Sequence, residues 1–146
     1  MLDKKFIKQI LILITIVIVL LLALFVFPND KVVVKIDDIK ILVELANTQE
    51  KRVQGLSNRE KLEENHGLLF VFDRLDLHGI WMKDMNFAID ILWINENMTI
   101  IDIKQDAKIE SFPEVFLPKE NAKYVLEVNA GFVNTNNIKI GDKIIF

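Results

Sequence analysis

The sequence predicts an all-β domain, built as a β-sandwich or jelly roll or as a small barrel with one or two short helices, and preceded by one N-terminal transmembrane helix. Three observations support this prediction. An apolar segment occupies residues 10–27, many short runs of β-branched or alternating apolar residues follow it, and helix signals after it are scarce. Many short strands with few helices are typical of closed or two-layer β architectures.

The apolar segment is long enough to span a bilayer as a helix. It reads ILILITIVIVLLLALFVF, with Thr15 as its only polar residue, and at ~1.5 Å per residue it covers about 27 Å. A cleaved signal peptide, which would have a shorter apolar region followed by small residues, and a buried core helix are the alternatives. Because Lys4, Lys5 and Lys8 precede the segment, the positive-inside rule places the N terminus in the cytoplasm.

This interpretation divides the chain into three segments with different locations. Residues 1–9 form a cytoplasmic basic N terminus, residues 10–28 a transmembrane signal anchor, and residues 29–146 a single extracytoplasmic β domain. The protein is therefore expected in the cell membrane as a single-pass protein that contacts the membrane through residues 10–28. A β domain of this length holds one modest hydrophobic core.

Strands account for most of the structure predicted after the apolar segment. Residues 32–36 form a β-branched run, and in the next strand Ile39, Ile41, Val43 and Leu45 occupy alternate positions. Further strands are predicted, in chain order, at residues 68–72, 80–83, 89–94, 98–106, 123–128 and 143–146.

Two short helices are predicted between these strands. Asn47 is expected to cap a helix that begins at Thr48, and Gly55 is expected to end that helix in a left-handed conformation. A second, single-turn helix is expected at residues 59–64. Both helices are short, so the β class of the domain is unchanged.

Turn residues predict the main connections. Residues 95–97 are Asn-Glu-Asn and are expected to join two strands as a tight hairpin, since Asn tolerates positive φ. Gly131 is expected to allow a positive φ or a close backbone approach, and Gly141 to form a turn before the last strand. The segment 108–121 is the one loop long enough to fold over a face or a pocket.

Composition excludes several classes of function. The net charge is −3, and the first nine residues carry +2, which leaves −5 on the rest of the chain. This balance opposes nucleic acid binding, which needs a basic surface to replace phosphate counterions. The absence of cysteine excludes disulfides and thiolate chemistry, and His66 and His78 lack the spacing of a zinc site. No metal and no cofactor are predicted.

The block IWMKDMNFAIDI, residues 80–91, places two charges among residues that are expected to be buried. Burying an unpaired charge costs several kcal/mol or more, so buried charges need partners. Lys83 and Asp90 are therefore expected to pair with each other or with Arg59 and Glu127, or to line a site. A Lys83–Asp90 ion pair is the structural interpretation, and an anion-binding or acid–base site is the functional one.

Six blocks between residues 40 and 146 carry a resemblance to a known family. They are ELA at 44–46, GLSNR at 55–59, GLLFVF at 67–72, IWMKDMNFAIDI at 80–91, YVLEVNAG at 124–131 and GD at 141–142. In this order and spacing they resemble domain of unknown function 192 (DUF192). The resemblance implies a compact β fold of sandwich or jelly-roll kind, and it implies no activity or cofactor.

The chain also departs from the pattern of that family at several positions. The family usually has Met where Ser57 and Leu68 stand, Asn-Thr where Asp84-Met85 stands, and Pro-Leu where Ala88-Ile89 stands. The substitutions at Ser57 and Met85 are expected to alter a pocket wall.

Two further residues of the family pattern are candidates for a site. Trp81 is expected to be a core residue or a pocket wall, because a Trp side chain buries about 150–250 Å², and the alternative is an exposed platform for a sugar or a peptide. Arg59 is expected to hold Glu127 or Asp90 by two parallel hydrogen bonds. Such a clamp more often fixes a loop than performs catalysis.

The leading functional hypothesis is a noncatalytic domain that binds a small ligand, for example an anionic one, or a partner in the cell envelope. Its candidate ligand-binding residues are Arg59, Trp81, Lys83, Asp90 and Glu127. The alternative is a small hydrolase or lyase in which Lys83, Asp90 and Glu127 transfer protons while Arg59 holds an anionic substrate. A third hypothesis is that the buried charges form ion pairs that only specify the fold.

Overall fold

The computed structural model describes residues 3–26 and 31–146 and divides the chain into two units, of which the second begins at Lys31. The first unit contains helix α1, Lys4–Val26. Within α1 the Thr15 hydroxyl donates to the carbonyl oxygens of Leu11 and Ile12, at 2.8 and 2.9 Å. The polar side chain is thus satisfied by the helix itself.

The expected transmembrane helix at residues 10–28 is wrong. Among the residues that the structure describes, none of the helices combines the length and the apolar character needed to cross a membrane. Residues 1–2 and 27–30 of the three predicted segments lie outside the described residues.

The second unit is built almost entirely from strands, as predicted. Its described elements, in chain order, are β1 Lys31–Ile36, β2 Ile39–Ala46, α2 Gln49–Gln54, β3 His66–Asp76, β4 Ile80–Trp81, β5 Ile89–Ile94, β6 Ile100–Ala107, β7 Val115–Phe116, β8 Ala122–Asn129, α3 Phe132–Thr135 and β9 Ile144–Ile145. Seven strands form one sheet in the order β6-β5-β8-β3-β2-β1-β9, and β4 pairs with β7 in a separate ribbon. Only β2 and β3 are parallel; the other described pairs are antiparallel.

The seven-stranded sheet curls so that its two edges meet at one end. The Ile100 amide donates to the Asp142 carbonyl at 2.9 Å, and the Gly141 amide donates to the Ile100 carbonyl at 2.8 Å. The Ile144 amide also donates to the Met98 carbonyl at 2.9 Å. These bonds connect the start of β6 to the segment that leads into β9, so the sheet is a half-barrel, in agreement with the barrel alternative of the prediction.

The curled sheet separates two hydrophobic cores. The inner core lies inside the curl and contains Val34, Ile36, Ile41, Val43, Leu69, Leu92, Ile94, Ile100, Leu126, Val128, Val133, Ile138 and Ile144. The outer core lies on the opposite face and contains Ala46, Leu56, Leu68, Phe70, Ile80, Met82, Ile89, Ile91, Trp93, Ala107, Phe116, Ala122 and Val125. Because strand side chains alternate between faces, β5 and β8 contribute to both cores, and every residue of β5 is buried.

Several local predictions were wrong. No helix forms at residues 59–64, which are described as turn and irregular chain. The first predicted helix does form, but its cap is Thr48, whose hydroxyl accepts the Lys51 amide at 3.3 Å. In the hairpin after β5 the positive φ of 57° falls on Met98, while the Asn95 side chain accepts two amides of the turn.

Candidate functional site

A pocket of about 110 Å³ opens on the outer face of the sheet. It lies between the C-terminal end of α2 with the loop after it, strand β3, and the start of β4. Its lining residues are Arg52, Val53, Gln54, Gly55, Leu56, Ser57, Phe70, Phe72, Gly79, Ile80, Trp81, Met85 and Glu127. Most of these side chains are apolar or aromatic, which is the usual composition of a small-molecule site with a few polar groups.

Glu127 is the buried acid of this pocket. It lies on β8 in register with Leu68 of β3 and Ile91 of β5, so apolar residues flank it on both neighbouring strands. The residue is only 4% exposed, and no group among the described residues hydrogen-bonds its carboxyl. Burial raises the pKa of the Glu127 carboxyl to about 8, against the opposing field of Arg59. The carboxyl is therefore mostly protonated at neutral pH.

Arg59 lies beside Glu127, but its bidentate partner is Glu44. Both terminal nitrogens of Arg59 bind the two carboxylate oxygens of Glu44 at 2.8 Å. These hydrogen bonds lower the pKa of Glu44 and raise that of Arg59, and burial opposes both shifts. Glu44 and Glu127 share one row of the sheet, with Leu68 between them. The predicted clamp of Arg59 on Glu127 or Asp90 is thus wrong.

Hydrogen bonds between two loops fix one wall of the pocket. The Ser57 hydroxyl donates to the Lys83 carbonyl at 2.9 Å, and the Asn58 amide donates to the Asp84 carbonyl at 2.7 Å. In the reverse direction, the Asn86 side chain donates to the Arg59 carbonyl at 2.9 Å. The segment after α2 and the segment after β4 therefore form one connected wall.

Stacked rings form the opposite wall. Phe70 and Phe72 project from β3 with centroids 6.2 Å apart and planes within 11°. His78 stacks on Phe72 at 3.5 Å, and the Arg52 guanidinium lies 5.5 Å from the Phe72 centroid. Arg52 also donates to the Val71 carbonyl at 2.9 Å. These contacts hold the rings in place, so the wall is preorganised.

Asp90 lies on the other face of the sheet, away from the pocket. It is fully buried, and its two carboxylate oxygens accept the amides of Asp106 at 2.8 Å and Val133 at 2.9 Å. The Val133 amide belongs to the first turn of α3, which begins after Gly131 with the predicted positive φ. Asp90 thus joins the end of β6 to α3, and it does not contact the pocket.

Lys83 and Trp81 are both outside the core. Lys83 is 51% exposed and its nearest carboxylate is that of Asp84, at 3.9 Å, so the predicted Lys83–Asp90 ion pair is wrong. Trp81 is 50% exposed and lies at the edge of the pocket, where it meets Phe112 edge to face at a centroid distance of 5.8 Å. The interpretation of Trp81 as a core residue is wrong, whereas its interpretation as a pocket wall agrees with the structure.

Comparison with known proteins places this fold in a family. The model of the DUF192 family, described as "Uncharacterized ACR", matches residues 32–146. The chain belongs to the DUF192 family. The resemblance predicted from the six sequence blocks is thereby confirmed.

Relatives of this DUF192 chain include UPF0127 proteins of archaea. The chain is 34% identical over 105 residues to one from Thermococcus gammatolerans, covering 70% of this chain and 64% of that protein. It is 27% identical over 117 residues to one from Pyrococcus furiosus, covering 77% and 92%. The chain therefore spans less than two thirds of the length of the Thermococcus relative.

Solved structures share the DUF192 fold. A protein from Sinorhizobium meliloti 1021 whose name suggests a transcription regulator matches with a TM-score of 0.73 and 31% identity, over 79% of this chain and 91% of that one. A protein of unknown function from Novosphingobium aromaticivorans matches with a TM-score of 0.72 and 24% identity, over 80% and 85%. The second likeness supports the fold alone.

The DUF192 pocket includes residues that sequence analysis did not select as candidates. Phe70 and Phe72 are two residues apart on one strand, a spacing that places both rings on the same face and could have identified this wall. Ser57 and Met85 were identified as departures from the family pattern with an expected effect on a pocket wall, and both line this pocket. The position of Arg52 in the pocket could not be predicted from the sequence near it, because the ring on which it stacks belongs to strand β3.

Proposed function

We propose that this DUF192 domain is a noncatalytic binding module whose small-molecule ligand enters the pocket above Glu127. One observation carries the proposal. A carboxyl that is nine-tenths buried faces a pocket, and no group among the described residues hydrogen-bonds it. Among the described residues no fully enclosed side-chain oxygen lacks a partner, so the Glu127 carboxyl is reached from the pocket, where a ligand can supply the hydrogen bond that the protein does not.

The size of the pocket suggests what it holds. An apolar cavity of about 150 Å³ accommodates benzene, so a pocket of about 110 Å³ accepts a five-membered ring or a compact group of similar size. The pocket is open on one side, so the rest of a larger ligand can extend over Trp81 at its edge. This volume fits a small molecule or one end of it better than a protein surface.

The binding hypothesis is supported over the hydrolase or lyase alternative by the positions of the four charged residues. The alternative requires Lys83, Asp90 and Glu127 to converge. Asp90 faces the inner core, and the Lys83 side chain is half exposed beside Asp84. Only Glu127 reaches the pocket, so the proton-transfer set of that alternative is not assembled.

The proposal is tested by screening the full-length protein with small fragments that are neutral, cationic or anionic, using amide chemical shifts in NMR spectra as the readout. Binding in the pocket should shift the amide signals of Leu56, Ser57 and Gly79. Ser57→Met introduces the residue that the family usually has at this position. The added side chain should fill the pocket and raise Kd at least about tenfold.

Thr135→Met is the matched control. It adds the same side chain to a different concave surface, lined by Asn65, Asn129 and Thr135 among others, and it should leave binding unchanged. The proposal is overturned if no fragment shifts the pocket amides, or if Ser57→Met and the parent bind the fragments equally well.

A further inference from the structure

The chemistry around Glu127 restricts the kind of group that the pocket can bind. A protonated carboxyl offers one O–H donor and a carbonyl acceptor side by side. Carboxamides and lactams present the complementary pair, an acceptor and an N–H donor in one plane. Two parallel hydrogen bonds can therefore form between such a group and Glu127. The group would then lie with the aromatic wall of β3 on one side and Met85 on the other.

A cationic ligand group fits this environment poorly. Arg52 lines the pocket and Arg59 lies close enough for its charge to act on Glu127. A cation would need Glu127 in its charged form, and it would enter a pocket that Arg52 lines, with the charge of Arg59 already acting on its acid. Repulsion between like charges at short range opposes this arrangement.

An anionic ligand group also lacks what it needs. Arginine binds a carboxylate best through two parallel hydrogen bonds. Both terminal nitrogens of Arg59 already bind Glu44, while Arg52 binds the Val71 carbonyl and lies 3.5 Å from an Asp73 oxygen. An anion in the apolar pocket would therefore be desolvated without a strong charged partner, which is costly.

We infer that the ligand of this pocket carries an uncharged planar group with an adjacent hydrogen-bond donor and acceptor, of the carboxamide or lactam class, and that this group pairs with the carboxyl of Glu127. The inference rests on the proposed binding function and specifies its ligand. Binding requires the acid form of Glu127, so it should weaken when that acid ionises.

The surroundings of Glu127 indicate that its own ionisation controls ligand binding. The charge that acts on Glu127 is that of Arg59, which is itself paired with Glu44, and Arg52 lines the same pocket. The residues in register with Glu127 on β3 and β5 are Leu68 and Ile91, which carry no charge. Loss of the Glu127 proton near pH 8 is therefore the ionisation that should control ligand binding.

The test uses three probes of similar size with the full-length protein: 2-pyrrolidinone, a neutral lactam; pyrrolidinium, a cation; and isobutyrate, an anion. Kd for each is measured by NMR titration at pH 6.5 and pH 9.5. The lactam should bind most tightly at pH 6.5 and at least about tenfold more weakly at pH 9.5. Neither charged probe should bind more tightly than the lactam.

Glu127→Gln is the decisive variant, because a glutamine side chain keeps a donor and an acceptor in one plane and does not ionise in this range. The lactam should bind this variant with the same Kd at both pH values. Any remaining pH effect would come from other groups and would contradict the assignment to Glu127.

The outcomes separate this inference from the proposed function. Tighter binding of pyrrolidinium, growing with pH and lost in Glu127→Gln, would overturn the ligand class but keep the pocket as a binding site. Tighter binding of isobutyrate would do the same, as would fragment hits in the pocket together with no binding of the lactam. If no fragment of any charge binds in the pocket, the binding function itself fails.

Discussion

Asp90 and Glu127 are both buried carboxyl groups on neighbouring strands of one sheet, yet their surroundings are opposite. Asp90 faces the inner core and accepts two backbone amides. Glu127 faces the outer core and the pocket, and it has no hydrogen-bond partner among the described residues. The difference shows that burial of an acid does not by itself indicate a site. The partners of the acid distinguish a structural role from a recognition role.

The largest expected effect comes from removing the satisfied acid. Asp90→Ala leaves the buried amide of Val133 and the partly buried amide of Asp106 without their acceptor, and each buried group of this kind costs about 1–3 kcal/mol. We expect the free energy of unfolding to fall by about 2–5 kcal/mol, measured by urea denaturation. Glu120→Ala, at an exposed carboxylate, serves as the control. A loss below about 1 kcal/mol would mean that the two hydrogen bonds contribute little.

The acid that faces the pocket, Glu127, should instead make stability depend on pH. The folded protein keeps the Glu127 proton up to about pH 8, whereas the unfolded chain loses it near the ordinary pKa of 4.5. Between these values the folded state binds more protons, so the free energy of unfolding should fall as pH rises, by at most about 1.4 kcal/mol per pH unit. Above about pH 8 the folded protein has also lost the Glu127 proton, so the free energy of unfolding no longer falls on this account.

Glu127→Gln isolates that contribution. Since glutamine does not ionise, the difference in urea midpoint between the parent and the variant should change steadily between pH 5 and pH 8 and then level off. Parallel curves for the two proteins would show that Glu127 titrates normally in the folded state.

A smaller effect should follow from the arginine beside Glu127. Arg59 opposes the raised pKa of Glu127, so Arg59→Gln should move the Glu127 titration midpoint above its value in the parent. The midpoint is measured from the carboxyl ¹³C shift. The lost bidentate pair with Glu44 is partly exposed and should cost about 1 kcal/mol or less.

Arg52→Gln is the matched variant for this comparison. Arg52 also lines the pocket, but its guanidinium binds the Val71 carbonyl and lies over Phe72. Arg52→Gln should therefore move the Glu127 titration midpoint less than Arg59→Gln does. Equal shifts in the two variants would assign the effect to the pocket as a whole and not to Arg59.

The smallest effect is expected at Lys83. Its side chain is half exposed and lies 3.9 Å from an Asp84 oxygen, and surface substitutions of this kind usually change stability by about 0.5 kcal/mol or less. Lys83→Met should therefore unfold at nearly the same urea concentration as the parent. A loss of several kcal/mol would restore the prediction that Lys83 has a buried partner.

Local patterns predicted the strands well and the charge partners poorly. The strand at residues 89–94 was located correctly, because a run of large apolar residues is typical of a buried strand. Lys83 was expected in the core because its neighbours in sequence are apolar. Strand β4 ends at Trp81, however, and the following turn places Lys83 outside.

The partners of the two acids depend on contacts between distant parts of the chain. Asp90 meets Val133 of α3, a helix that the sequence did not predict and that has only four residues. Glu127 and Asp90 lie on opposite faces because of the register between β5 and β8, which pairs Glu127 with Ile91. A shift of one residue would have placed both acids on the same face, and sequence alone does not fix that register.

The burial of β5 on both faces has a consequence for hydrogen exchange. Its backbone amides can exchange with solvent deuterium only when both cores separate from the sheet, which amounts to unfolding of the whole β unit. The pocket wall at residues 55–59 has one buried core side chain, Leu56, and is otherwise attached by loop hydrogen bonds and the Arg59–Glu44 pair, so it can detach at a lower free energy than β5. Exchange should therefore proceed from the pocket wall inward, with β5 among the last strands to exchange.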